Sequence, residues 1–231
     1  MQKLIFYISY LPIKLYGTYA KPRKSLVFLF TLQKRITTLI SDRASDYEGG
    51  VHPKHRLMGY HQFFTNRLKS EEKVLEIGSG IGYLAYDMAE KGALVTGIEL
   101  SKENFDKACR LYKKPNLKFI QGNALKDLPR EKYDTVVMSN VLEHLEHRVE
   151  FIKEVQLNIN PARWLFRVPC FDRDWQVPFA QELGIDSRLD ETHFVEYTDE
   201  TFRKEMSDAG LNIVHLDKRW GEIWAEAIPT N

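Results

Sequence analysis

Val74-Leu75-Glu76-Ile77-Gly78-Ser79-Gly80-Ile81-Gly82 runs from a β-type apolar stretch into a glycine-rich turn, and the apolar period changes after it. Lys73 to Ile77 reads as a buried strand, whereas Ile81, Ala85, Met88 and Ala89 recur at helical spacing until Gly92. Glycines in such a turn adopt positive φ and leave room for a ligand that any Cβ would hold off, and the helix behind them offers unpaired N–H groups. Gly78, Gly80 and Gly82 give G-x-G-x-G, and position 83 is Tyr, so the dinucleotide fingerprint G-x-G-x-x-G is not met. That spacing disfavours a nicotinamide oxidoreductase. Glu76 argues the same way, because a carboxylate there repels a pyrophosphate but accepts hydrogen bonds from a cationic amino group.

Outward from this turn the chain alternates short β-type runs with helical segments, the pattern of an α/β three-layer sandwich around a mainly parallel sheet. Upstream, a helix is expected over His55 to Leu68, with Leu57, Tyr60, His61, Phe64 and Leu68 on one face. Downstream, strands are expected at Ala93–Ile98, Leu117–Gln121, Tyr133–Ser139 and Trp164–Val168, with Ser101 capping one helix and Arg148–Ile159 forming another. A helix from Thr198 to Ala209 and two strands, Leu211–Leu216 and Glu222–Ala227, bring the count to seven strands in a Rossmann-like arrangement. Residues 169–197 read as a long irregular insertion, and segments of that kind tend to bind or cover substrates.

The stretch Glu76-Ile77-Gly78-Ser79-Gly80-Ile81-Gly82 resembles motif I of class I S-adenosylmethionine-dependent methyltransferases, and the resemblance extends over residues 73–228. It implies S-adenosylmethionine as cofactor, with Glu76 toward its methionine part and Gly78, Ser79, Gly80 and Gly82 lining the turn. Glu99, followed by Leu100, resembles the acid that holds both ribose hydroxyls, a role that suits two acceptor oxygens. Asn123 and Ala124 fall where the family contacts adenine, although Asp is commoner than Asn there. Asn140 lies in the segment that faces cofactor and acceptor. At Asn158 to Trp164 the chain lacks the Pro-Gly-Gly turn of many relatives. A catalytically degenerate, partner-binding member is the alternative, and the intact Glu76, glycines and Glu99 speak against it.

Methyl transfer from a sulfonium needs alignment, a dry pocket and, for a hydroxyl acceptor, a destination for a proton. His193, in His193-Phe194-Val195-Glu196-Tyr197-Thr198, and His144 are the expected bases, with His147 a further candidate; Asp172, Asp174 and Trp175 are candidates to orient an acceptor. An O-methyltransferase acting on a small-molecule or glycan acceptor is expected, the glycan reading coming from the likeness of Gly50 to Leu57 to surface-glycan methyltransferases. His52, His55 and Arg56 in that stretch either cover the cofactor's carboxylate or cap a helix. No nucleic-acid partner is expected of a net acidic catalytic part.

The formal net charge of +1 hides an asymmetry: residues 1–45 hold eight Lys/Arg against the single acid Asp42. This basic N-terminal segment, with a methyltransferase domain over 46–231, has apolar runs Leu4–Ile13 and Leu26–Leu32 that are far short of the ~20 residues a membrane span requires. Leu4, Ile8, Leu11 and Leu15 at helical spacing, with nearby lysines and arginines, fit a helix lying on an anionic membrane; packing on the catalytic part or a second subunit is the other reading. A cleaved secretory signal is not expected, since Pro12 and Lys14 interrupt the first run. Two cysteines, Cys109 and Cys170, in no metal or disulfide spacing, suggest no metal site and a cytoplasmic protein, at most at the inner face of the membrane.

Overall fold

The computed structural model describes residues 2–230, with side chains from residue 7 onward, so Lys3 and Leu4 lie outside the described side chains. The chain divides into two compact units, one of residues 1–57 with 174–188 and one of residues 58–173 with 189–231.

The larger unit is built on seven strands: β1 Lys73–Ile77, β2 Leu94–Glu99, β3 Leu117–Gln121, β4 Thr135–Ser139, β5 Arg163–Pro169, β6 Leu211–Arg219 and β7 Glu222–Pro229. They lie in the order β3-β2-β1-β4-β5-β7-β6. The first five are parallel, and β7 runs antiparallel to both neighbours. Successive residues of a strand point to opposite faces, and both faces are apolar here. Leu75, Val136, Met138, Trp164 and Phe166 enter one core with Phe151, Ile152, Val155, Phe202 and Met206. Val74, Val137 and Leu165 enter the other with Phe64, Leu84, Ala85 and Met88. That double burial is why the parallel strands read as continuous apolar runs.

The helices of this unit are α4 Tyr60–Thr65, α5 Tyr83–Glu90, α6 Lys102–Leu111, α7 Arg148–Ile159 and α9 Asp199–Asp208. Ser101 caps α6 as expected by accepting from the Asn104 amide, and Thr198 caps α9 through a reciprocal pair with Thr201. The helix expected over His55 to Leu68 is instead two short ones, α3 Lys54–Met58 and α4, because Gly59 between them takes φ +65. Tyr60, His61 and Phe64 are buried as expected, but Leu57 is 60% exposed.

The smaller unit contains α1 Gln2–Tyr19, α2 Pro22–Tyr47 and α8 Gln176–Glu182. Pro22 starts α2 at the position where a missing N–H costs nothing, while Pro12 is accommodated inside α1. Tyr16 meets Phe28 edge-on at 4.9 Å, Phe30 meets Phe179 at 6.2 Å, and Arg23 donates to the Leu183 carbonyl at 3.0 Å. One expectation is corrected here: the insertion at 169–197 is not wholly irregular but contains α8, whose segment clusters with the N-terminal helices; position 45 lies inside α2. Among the described residues no helix is long and apolar enough to cross a membrane.

Candidate active site

The loops after β1, β2, β3 and β4 lie side by side along the C-terminal edge of the parallel strands, where the chain reverses its strand order and where ligands of open α/β sheets bind. Glu76 in β1 is 2% exposed, and its Oε2 has no hydrogen-bond partner; neither does the buried Ser79 hydroxyl in the turn. Burial, reinforced by nearby Glu99, raises the Glu76 carboxyl well above the usual carboxylate range. A buried acid with an unmet acceptor is a receptor for a cation.

Gly80 has φ +54, and nothing lies within 4 Å of where its Cβ would stand, so the turn forms an open cradle. At Gly78, φ +71, a Cβ would collide with the Val141 side chain. The glycine turn is therefore packed directly against the segment that follows β4. Glu99 accepts from the Gly80 amide through one oxygen and from the Ser101 amide through the other, both at 2.8 Å. A carboxylate offers about four lone-pair directions, so each oxygen keeps one for a hydroxyl of a vicinal diol. Leu100 is exposed beside it. Asn123 shapes the β3 loop by accepting from the Leu125 amide at 2.9 Å, and Ala124 packs against the core.

Asn140 takes φ +54, a left-handed backbone that Asn tolerates better than most residues, and its buried Oδ1 has no partner. Beyond Val141 a single 3-10 turn, Leu142–His144, places Glu143 and His144 beside His193 from the loop before α9. Glu143 is fully buried with both oxygens unpartnered, and its carboxyl is pushed up to about 8, chiefly by burial. The His144 and His193 rings stand edge to face at 4.6 Å.

The hydrogen bonds assign the His144 tautomer. Thr192 gives its only hydroxyl proton to Asp190 at 2.7 Å, so in its 2.8 Å bond with His144 it must accept from Nδ1–H. Glu196 accepts from the His193 Nδ1–H at 3.1 Å. Burial opposes ionisation of Glu196, yet its bonds with His193, the Leu189 amide and Arg173 hold it below the ordinary carboxylate range. The His144 Nε2 thus carries the lone pair of a neutral ring. Burial, and then the neighbouring His193, lowers the His144 pKa and keeps that ring neutral.

Other expected site residues are engaged elsewhere. Asp172 pairs with Lys218, Asp174 accepts from the Gln176 amide at the start of α8, and Trp175 is exposed. His147 precedes α7 without a cap bond from its side chain. In the smaller unit, His52 accepts from the Lys54 amide through Nδ1 and donates through Nε2 to Ser41, while Arg56 pairs with Glu48. Sequence reasoning passed over Glu143, although it adjoins His144, because no spacing links that pair to His193; only the fold does. It also passed over Gly97, where a Cβ would stand 2.7 Å from Ser79.

A parallel sheet of this order, with a cationophilic buried acid, an open glycine cradle and a diol-matched acid on successive strands, defines a class I, Rossmann-like methyltransferase that uses S-adenosylmethionine. Residues 51–216 match the family described as Methyltransferase domain, and the chain belongs to it. It is similar to the ubiquinone biosynthesis O-methyltransferase of Albidiferax ferrireducens, 29% identical over 135 residues that cover 55% of this chain and 53% of that protein. It is also similar to that of Vibrio campbellii, 34% identical over 101 residues covering 41% and 42%. The chain spans about half the length of these curated relatives. The fold is shared with the S-adenosylmethionine-dependent methyltransferase from Mesorhizobium loti (TM-score 0.57, 14% identity, 74% of this chain and 99% of that one). It is shared too with magnesium protoporphyrin IX methyltransferase from Synechocystis with bound S-adenosylmethionine (TM-score 0.55, 17% identity, 77% and 79%).

Proposed function

We propose that this chain transfers a methyl group to a hydroxyl oxygen of a small acceptor. The observation that carries this reading is the convergence of His144 and His193, with the buried Glu143 between the glycine turn's neighbour Val141 and His144 in sequence, at one place. Relatives named as O-methyltransferases support it.

When bound, S-adenosylmethionine supplies an electrophilic methyl on a sulfonium. Glu76 would receive the cofactor's ammonium, the Gly78–Gly82 turn would admit its methionine part, Glu99 would accept from both ribose hydroxyls, and Asn123 with Ala124 would border the adenine. Asn140 would present its buried Oδ1 toward the same space. His144 and His193 would receive the acceptor hydroxyl and remove its proton as the oxygen–carbon bond forms and the carbon–sulfur bond breaks. Glu196 and Thr192 hold the rings in place.

The test uses methyl-labelled cofactor with a panel of phenolic, catecholic and sugar hydroxyl acceptors. Label should appear as an ether, and His193→Ala should lower kcat by about 10²–10⁴, the usual worth of general base catalysis. Undiminished turnover in that variant, or label on nitrogen or carbon, would sink the reading. Sugar acceptors alone being methylated would select the glycan class; phenols alone would exclude it.

The N-terminal helices support attachment to an anionic membrane. Ile8, Leu11 and Leu15 are exposed, as are Leu39 and Ile40, on helices that also carry Lys14, Lys21, Lys24, Lys34 and Arg35. Apolar residues beside basic ones suit the surface of an anionic membrane, each basic residue near it adding ~1 kcal/mol. The full chain should co-sediment with phosphatidylserine-containing vesicles at low salt and less at high salt, and Ile8→Ser with Leu11→Ser should release it. Sedimentation indifferent to both would refute membrane attachment.

A further inference from the structure

We propose that a cavity at the outer edge of β3 binds a planar aromatic carboxylate, and that its occupancy tightens cofactor binding through Phe119. The proposal goes beyond the hydroxyl-acceptor reading and does not depend on it.

The cavity, about 460 Å³, opens where the end of α6 passes into β3, and Cys109, Tyr112, Lys113, Leu117 and Phe119 line it. That is the size of a small-molecule site. β3 is the outermost strand on this side of the sheet. The linker from α6 joins its N-terminal end, whereas Asn123 and the loops of the cofactor site lie at its other end. Two rings and Leu117 make the lining apolar, and Tyr112 is held by Tyr86 at 4.8 Å and by Tyr83, edge-on at 6.0 Å. The two lysines here differ. Lys114 pairs with Glu90 and lies over the Tyr86 ring at 5.6 Å, whereas the exposed Lys113 has no ion-pair partner among the described residues. Aromatic walls with an uncommitted ammonium at the rim complement a flat ring that carries a negative charge.

Phe119 joins this cavity to the glycine turn. A Cβ at Gly82 would stand 2.6 Å from the Phe119 Cζ, and one at Gly97 would stand 2.9 Å from its Cδ1. The ring is therefore closed on one side by the turn and by β2, while it also lines the cavity. Gly97 in turn abuts Ser79, whose buried hydroxyl belongs to the turn. A ligand in the cavity gives Phe119 a neighbour where it has none and restricts its motion. The cofactor then meets a turn that is already ordered and loses less freedom on binding, so each ligand strengthens the other by the same factor.

Cys109 reports occupancy, because it is partly exposed whereas Cys170 is fully buried, so a thiol reagent reads Cys109 in the folded chain. The experiment follows alkylation of the full chain by iodoacetamide in the presence of 2-naphthoate, its uncharged amide, or inorganic sulfate. A ligand of about 13 non-hydrogen atoms at ordinary efficiency has a Kd of roughly a millimolar. About 10 mM 2-naphthoate should therefore slow alkylation about tenfold, the amide no more than about threefold, and sulfate not at all. Lys113→Glu should weaken the protection by about threefold to tenfold, and Tyr112→Leu by a similar factor, with far-ultraviolet dichroism unchanged in both. Calorimetric titration with S-adenosylhomocysteine should give a Kd about fivefold lower when 2-naphthoate is present, the low end of coupling between sites. Alkylation indifferent to 2-naphthoate, equal protection by the amide, or protection untouched by both substitutions would overturn the proposal. An unchanged S-adenosylhomocysteine affinity would overturn the link through Phe119, and a weakened one would mean that the carboxylate competes in the cofactor site instead. No acceptor takes part, so these outcomes are separate from the test of O-methylation.

Discussion

Glu76→Gln should weaken S-adenosylhomocysteine binding by about 10–100-fold while leaving the ligand-free protein at least as stable as the native chain at neutral pH. The amide keeps the shape of the side chain but not its charge, and a hydrogen bond to a charged group is worth ~1.5–3 kcal/mol. The stability half follows from the raised carboxyl, caused first by burial and then by Glu99. A folded-state pKa above the unfolded one means that the folded chain holds the proton more tightly. Its contribution is complete below the unfolded value of about 4.3 and is lost as pH rises through the folded value. The native chain should therefore lose stability relative to Glu76→Gln across that interval. Calorimetric titration, with thermal unfolding at pH 5 and pH 8, tests both halves. A variant that binds normally, or whose relative stability falls with rising pH, would remove Glu76 from the cofactor site.

The largest loss of stability should come from Glu222→Ala. Arg167 in β5 is 3% exposed, and its guanidinium makes two 2.6 Å bonds to Glu222 in β7. Tyr60 lies under that guanidinium at 3.7 Å, and the Trp224 indole N–H donates to Glu222 at 2.9 Å. Removing the acid strands a buried cation, which costs about 3–5 kcal/mol. For a chain of this size that corresponds to roughly 6–20 °C in Tm. Replacing both partners, as Arg167→Met with Glu222→Leu, should recover most of the loss, because apolar side chains of similar volume satisfy a buried position without desolvating charge. Thermal unfolding of the single and double variants decides the point. A double variant no better than the single would mean that the pair is not the source of the loss.

The parts of this molecule that the sequence revealed are those governed by local rules. β1, β3 and α7 begin and end where their apolar periods begin and end, and the turn from Gly78 to Gly82 announces itself through residues that only a tight, ligand-approached backbone requires. The break at Gly59 was harder to see, since the apolar face at Tyr60, His61 and Phe64 continues a plausible helix and one positive φ undoes it. α8 is not legible inside 169–197 because seven residues with Pro178 as the third show no helical period of their own. His144 and His193 were legible as reactive residue types. Their partnership with Glu143 was not, because it depends on how the loop before α9 returns to the end of β4.

The smaller unit is discontinuous in sequence, since α1 and α2 cluster with residues 174–188. That imposes an order on biosynthesis. α1 and α2 leave the ribosome before the sheet, but their partner segment follows only after the five parallel strands have been made. At 5–20 residues per second the interval is on the order of ten seconds. During it the apolar faces of α1 and α2 are available to chaperones or to a nearby bilayer. A chain cut back to residue 58 would conversely carry α8 without the helices it clusters with, so shortened forms designed for expression should keep both pieces or lose both.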